Sequence, residues 1–184
     1  MSKQPRTRSE LEEQIASGAS VDFLFFWGHT PPKDGSVGQE CFSQWYPASF
    51  DVGGERYATA EHYMMAEKAR LFDDEEHREA ILLADSPHTA KALGRKVRGF
   101  DKVLWKQACV DIVVKGNIAK FGQNSELSEQ LLSTGDRILV EAAPRDRIWG
   151  IGLGAKNPKA LDPAQWRGQN LLGFALMQVR AQLR

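Results

Sequence analysis

The sequence predicts an α+β fold: a single helix-rich domain with a few short β-strands. Three observations predict it. Segments with helical apolar spacing and N-cap residues outnumber the strand-like ones. The strand-like segments are short and lack the β-α-β alternation of a parallel nucleotide-binding sheet. A chain of 184 residues supplies one full-sized core and is too short for two. Hydrophobic content of 42% and charged content of 26% are those of an ordinary globular protein.

The elements follow in order. Residues 1–20 are polar and read as a peripheral extension, with residues 21–184 as the main domain. Ser9-Glu10-Leu11-Glu12 is a capping-box pattern that predicts a short helix ended by Gly18. Phe23-Leu24-Phe25-Phe26-Trp27 predicts a buried strand, and Gly28 to Gly38, with Pro31 and Pro32, predicts a loop. Gly53-Gly54 turns between two short strands within residues 49–57. Helices are expected over 60–72 with Thr59 as cap, over 75–84, from Ser86-Pro87 to about 97, and over 102–121 with Asp101 as cap. Gly94 and Gly116 within these segments suggest close contacts. Asn124 or Ser125 starts a further helix to Leu132, Ile138-Leu139-Val140-Glu141 is a short strand, and a terminal helix follows Gly168-Gln169-Asn170.

Charge and rare residues narrow the function. The 24 basic and 24 acidic residues give zero formal net charge, which gives no support to non-specific nucleic-acid binding but leaves room for a pocket acting on one nucleotide. Cys41 and Cys109 lie far apart without metal-site spacing and read as reduced thiols. His29, His62, His77 and His88 form no ligand pattern and are read as solvated. No metal and no cofactor is expected. The aromatic run at 23–27 is far too short to span a bilayer and the N-terminus lacks a signal-peptide core, so a cytoplasmic location without a membrane partner is expected. The sequence leaves the oligomeric state open.

Two stretches carry candidate chemistry. On the helix over 60–72, Met64, Met65, Leu71 and Phe72 form an apolar arc with Ala60 at its edge, and Glu61 and Lys68 fall in its middle, roughly 20° apart in projection. His62, Ala66, Ala69 and Arg70 form the opposite face. Charges in an apolar stripe are costly unless paired or used. Lys68 in such surroundings loses its proton more easily and becomes a nucleophile. Alternatively it carries its ammonium to solvent or pairs with a carboxylate from elsewhere. The second stretch is Asp146-Arg147-Ile148-Trp149-Gly150-Ile151-Gly152-Leu153-Gly154. It lacks the third glycine of a dinucleotide fingerprint. It reads either as a loop allowing close backbone approach to a ligand, with Trp149 as a stacking surface, or as a tight structural loop with Trp149 in the core. Of the five tryptophans, one or two are expected at a pocket.

Taken together, these residues resemble the NADAR family, over nearly everything from Phe23 to Arg184. The resemblance rests on Phe42-Ser43-Gln44-Trp45-Tyr46-Pro47, Ala60-Glu61-His62-Tyr63 with Glu67-Lys68, Leu93-Gly94-Arg95, and Lys120-Phe121 with Gln123. It continues through Leu139-Val140-Glu141, Asp146 with Trp149-Gly150-Ile151-Gly152, and Gly168-Gln169-Asn170 with Leu172-Gly173 and Leu176-Met177. It implies an α+β fold and hydrolysis of the bond between ribose C1 and an amine of a guanine-like base. The implied substrates are phosphorylated ribosylamino-pyrimidine intermediates of riboflavin synthesis, or ADP-ribose on guanine in nucleic acid; a non-catalytic NAD or ADP-ribose module is the other alternative. Lys68 is then the imine-forming nucleophile, Glu61 a proton shuttle, and Asp146 the group that steadies charge at C1 or orients water. In a non-covalent version Glu61 or Asp146 activates water. Trp45 or Trp149 would stack on the base, Gly150 and Gly152 would admit ribose or phosphate, Arg95 or Arg145 would meet phosphate, and Asn170 belongs to the substrate-binding set. The segment 28–41 is longer than a minimal member needs and reads as a lid or specificity loop.

Overall fold

The computed structural model describes residues 4–184. The elements run α1 (Arg8–Ala16), β1 (Phe23–Phe26), β2 (Phe50–Val52), β3 (Glu55–Tyr57), α2 (Ala60–Leu71), α3 (Glu75–Leu82), α4 (Pro87–Gly94), α5 (Lys102–Gln123), α6 (Ser125–Leu132), β4 (Ile138–Glu141) and α7 (Leu171–Leu183). The architecture is α+β and helix-rich, as the spacing predicts. β1 and β4 pair in parallel, Phe23 opposite Ile138 and Phe26 opposite Glu141. Ile138, Leu139 and Val140 are all buried, as expected of a strand covered on both faces. β2 and β3 form a separate antiparallel hairpin across Gly53 and Gly54, whose φ angles of 62° and 85° suit the tight turn.

Helix α2 is the hub, packed by α3, α4 and α5. Thr59 caps it, its hydroxyl accepting from the His62 amide. Residues 60–66 are all buried. This overturns the assignment of His62, Ala66 and Ala69 to a polar face: α3 and α4 cover the side that periodicity leaves to solvent. Buried His62 is held by the Thr59 hydroxyl at Nδ1 (2.8 Å) and the Ala84 carbonyl at Nε2 (3.1 Å), so it is not a solvated histidine. Half-buried His77 meets Asp74 at 2.8 Å, while His29 and His88 lie against Trp45.

Several boundaries shift for local reasons. Thr7, not Ser9, caps α1, accepting from the Glu10 amide. The helix also docks on the body: Leu11 is fully buried, and Arg8 donates to the carbonyls of Trp166 (2.7 Å) and Ala164 (2.9 Å). Trp27, read as part of a buried strand, lies beyond β1 and is 69% exposed. Helix α4 stops at Gly94 rather than near 97, and α5 extends to Gln123. Among the described residues no helix is long and apolar enough to cross a membrane.

The two helix glycines are where packing is tightest. A Cβ on Gly116 would stand 2.8 Å from Tyr63 Cε1, inside a buried ring that cannot swing away. A Cβ on Gly94 would collide with the Met65 side chain. Gly122, by contrast, has Leu183 Cδ2 at an ordinary 3.9 Å. Gly116→Ala is therefore expected to lose about 1–2 kcal/mol in urea unfolding, overpacking outweighing the helix-propensity gain. Gly122→Ala is expected to be neutral or to gain up to about 1 kcal/mol.

Candidate active site

Glu61 lies in the first turn of α2, its amide donating to the Gln44 carbonyl (2.9 Å), and it is 2% exposed. Its Oε1 is buried without a hydrogen-bond partner. Burial pushes its carboxyl up to about 7; the Asp146 charge adds to this, while Lys91, a hydrogen bond from the Trp45 side chain, and Arg95 oppose it.

A second carboxyl, which the sequence reading passed over, completes the floor. Glu141 ends β4, and its Oε2 is buried and also unpartnered. Burial raises it to about 8, helped by Asp146 and Glu61 and opposed by Lys91. The signal in the sequence was a carboxylate closing an otherwise apolar strand. Only the pairing with β1 and the packing of α2 bring that strand end to Glu61.

Asp146 stands in the loop after β4. Its Oδ1 accepts from the amides of Ile148 and Trp149, both at 2.8 Å, which fixes the loop. Lys91, on α4, is the cation common to Glu61 and Glu141, and its Nζ is 5.6 Å from the centre of the Trp45 ring. Trp45 is bordered by His29 at 5.4 Å and His88 at 6.2 Å between ring centres. His29 is the point at which the 28–41 segment reaches the site; its far end, Cys41, is core. The tryptophan is delivered by a clamp on α5. Fully buried Lys120 donates to the carbonyls of Cys41 (2.7 Å) and Ser43 (2.8 Å), and Asn117 donates to the Gln44 side chain (2.8 Å). Burial lowers Lys120 to about 7.

Lys68 occupies a neighbouring station. Its Nζ donates to the Gly94 carbonyl at 2.7 Å and lies 4.3 Å from the centre of the Phe100 ring and 5.6 Å from that of Trp105. Burial lowers its pKa. The cations beside Glu61 are thus Lys91 and Arg95, not Lys68. The two stations adjoin through exposed Arg95, which follows Gly94 and acts on Glu61.

Three assignments change. A Cβ on Gly150 would stand 2.9 Å from the Glu141 carbonyl, and one on Gly152 would stand 2.9 Å from Arg167 Cβ. Both glycines serve contact between protein segments rather than approach to a ligand. Asn170, fully buried at φ 56°, uses both ends of its amide on β4: Nδ2 donates to the Leu139 carbonyl and Oδ1 accepts from the Glu141 amide, each at 2.9 Å. It holds the strand, and its side chain is fully buried. Trp149 is half-buried against the core, which favours the structural reading of its ring.

Among the described residues, no three His, Cys, Asp or Glu side chains converge as a metal site. A cavity of about 850 Å³ lies at the opposite end of the β1–β4 pair, beside Asp22, Ile138 and Arg184. We place the chemistry at the carboxyl end, where the perturbed carboxyls are.

The NADAR domain family model matches residues 25–184. The N-glycosidase R617 of Acanthamoeba polyphaga mimivirus is 42% identical over 163 residues, 86% of this chain and 94% of that protein. The riboflavin biosynthesis protein VVA0006 of Vibrio vulnificus is 33% identical over 141 residues, 77% of this chain and 35% of that protein. The NMR structure of the E. coli protein YbiA aligns with a TM-score of 0.70 at 31% identity, covering 90% of this chain and 87% of that one.

The raised carboxyl of Glu61 makes a signed prediction. Its folded value, about 7, lies above its ordinary 4.5, so the folded state keeps a proton that the unfolded state has released. Its stabilising contribution is complete below about pH 4.5 and is lost as pH rises through about 7. Between pH 5 and pH 8, Glu61→Gln should therefore gain on the order of 3 kcal/mol relative to the parent protein in urea unfolding.

Proposed function

This chain belongs to the NADAR domain family, and we propose that it is an N-glycosidase that hydrolyses the bond between ribose C1 and an amine of a guanine-like base. The observation that carries the reading is a buried carboxyl with one oxygen unpartnered and its pKa near neutrality, Glu61, within the field of Asp146. Cleavage of an N-glycosidic bond builds positive charge at C1 and requires a proton on the departing nitrogen. A carboxyl that titrates near pH 7 can give and take that proton, and a neighbouring carboxylate stabilises the charge at C1.

The reading assigns Glu61 to proton transfer, Asp146 to charge at C1, and Trp45, edged by Lys91, to stacking on the base. Lys68 is the amine that captures C1 as an imine once the sugar opens. Burial, which lowers its pKa, suits a nucleophile. In a second route Glu61 or Asp146 activates water, which attacks C1 directly, and Lys68 contributes only charge. Arg95, exposed at the junction of the two stations, is assigned to substrate phosphate.

A phosphorylated ribosylamino-pyrimidine of riboflavin synthesis is the favoured substrate. The riboflavin biosynthesis relative and the zero net charge support it. ADP-ribosylated guanine in nucleic acid is the competing substrate; the donors around Trp45, which are His29, His88 and Lys91, are the feature that favours it.

Sugar release from both substrates, with and without borohydride, tests the reading. Glu61→Gln should release sugar about 100-fold more slowly or worse. Borohydride should trap a covalent adduct in the parent protein and none in Lys68→Ala. Full activity in Lys68→Ala would retire the imine but keep the glycosidase. ADP-ribose binding without sugar release from either substrate would leave a binding module.

A further inference from the structure

We propose that Glu141 is a second catalytic carboxyl, the group that hands its proton to the departing nitrogen. The inference rests on the N-glycosidase reading in its direct-water route; it moves the proton of the departing nitrogen from Glu61 to Glu141 and leaves Glu61 as the base that takes the proton of water.

The geometry argues first from contrast. A buried carboxyl with a structural role in this fold looks like Asp74. Its oxygens accept from the Arg98 backbone amide (2.7 Å), the Arg98 guanidinium (2.6 Å) and the His77 backbone amide (3.4 Å). Glu141 Oε2 is as deeply enclosed and has no such partner. Leaving a buried polar atom unmade costs free energy, so one kept in place calls for a reason. Glu61 Oε1 is unpartnered in the same way, and the two residues lie in one electrostatic cluster.

The second argument is the effort the fold makes to hold Glu141 still. Its amide donates to Asn170 Oδ1 and its carbonyl accepts from the Ile151 amide, each at 2.9 Å. The carbonyl also has Gly150 pressed against it, where a Cβ would not fit. Asn170 adopts a positive φ to make this clasp. Asn170 and Gly150 are thereby positioning residues, acting through Glu141. A side chain whose backbone is fixed from three directions while one buried carboxyl oxygen is left unpaired is built to present that carboxyl to a ligand.

The chemistry balances. As the C1–N bond breaks, its electron pair stays on nitrogen, which takes the proton from Glu141. A water oxygen bonds to C1 and gives its proton to the Glu61 carboxylate. One water is consumed, the amine and the free sugar leave, and solvent returns a proton from Glu61 to Glu141. The charged groups facing Glu141 are Glu61 on α2, Lys91 on α4 and Asp146 in the loop. Burial raises both carboxyls above the usual carboxylate range, and the two act on each other, so the pair can hold one proton between them, as an acid and a base require.

The test is Glu141→Gln, with Glu141→Asp as a shorter acid. Glu141→Gln should lose about 100-fold or more in kcat with KM changed less than about threefold, and the high-pH limb of the kcat profile should disappear. Glu141→Asp should recover part of kcat. Stability at pH 8 should not fall in Glu141→Gln, since a buried carboxyl that resists ionisation has been removed. Retained kcat and pH profile, or a loss of activity that tracks a loss of stability, would overturn the proposal. If Glu141→Gln does not fold, the Glu141→Asp profile decides: an unchanged high-pH limb and kcat overturn it. Carbon-13 NMR of the parent protein needs no turnover and separates this proposal from the glycosidase reading. Ribose 5-phosphate should shift the Glu141 carboxyl signal and its titration; no shift at saturation would refute contact even if sugar release is confirmed.

Discussion

Everything in this protein is arranged around the enclosure of the first two turns of α2. A surface helix keeps one face in water, and its acidic residues stay solvated there. Here α3, α4 and α5 pack around α2, and residues 60–66 are all buried. Gly94 and Gly116 make the enclosure possible by letting the neighbouring helices approach Met65 and Tyr63 more closely than a Cβ permits. Glu61 is thus desolvated by packing decided elsewhere, and desolvation dominates its titration.

The surrounding loops are held for the sake of what they present. Lys120 grips two consecutive turns of backbone at Cys41 and Ser43, and the next residues, Gln44 and Trp45, reach the amide and the carboxyl of Glu61. Asp146 ties down its own loop through two amides while its charge raises both glutamates. Asn170 and Gly150 lock the end of β4. Hydrogen-bonding capacity is consumed by these supports and withheld from Glu61 Oε1 and Glu141 Oε2. Satisfied supports around unsatisfied acids are the pattern of a preorganised site.

Lys68 fits this scheme as a neighbour of the acids. One helix carries both it and Glu61, but seven residues of rise separate them by roughly 10 Å. Helix α4 runs alongside, placing Lys91 at the acids and the Gly94 carbonyl at Lys68. A sugar whose C1 lies between the stations would meet acids on one side and an amine, softened by burial under aromatic rings, on the other.

The sequence by itself determined the local features: the caps at Thr59, Ser86 and Asp101, the Gly53-Gly54 turn, the short apolar strand 138–141, and an acid and an amine set in one apolar arc of a helix. These are legible because they depend on residues a few positions apart, through backbone hydrogen bonds and side-chain periodicity. The order of motifs along the chain was equally legible and identified the family. Only the tertiary structure decided what surrounds each group. His62 has the spacing of a solvated residue but is buried because α3 and α4 arrive from later in the chain. Asn170 and Gly150 sit among ligand-like motifs yet hold β4, because their partners are residues 139–141. Glu141 and Lys91 gave no local sign of belonging with Glu61, since burial and charge proximity are set by contacts between segments that the sequence keeps apart.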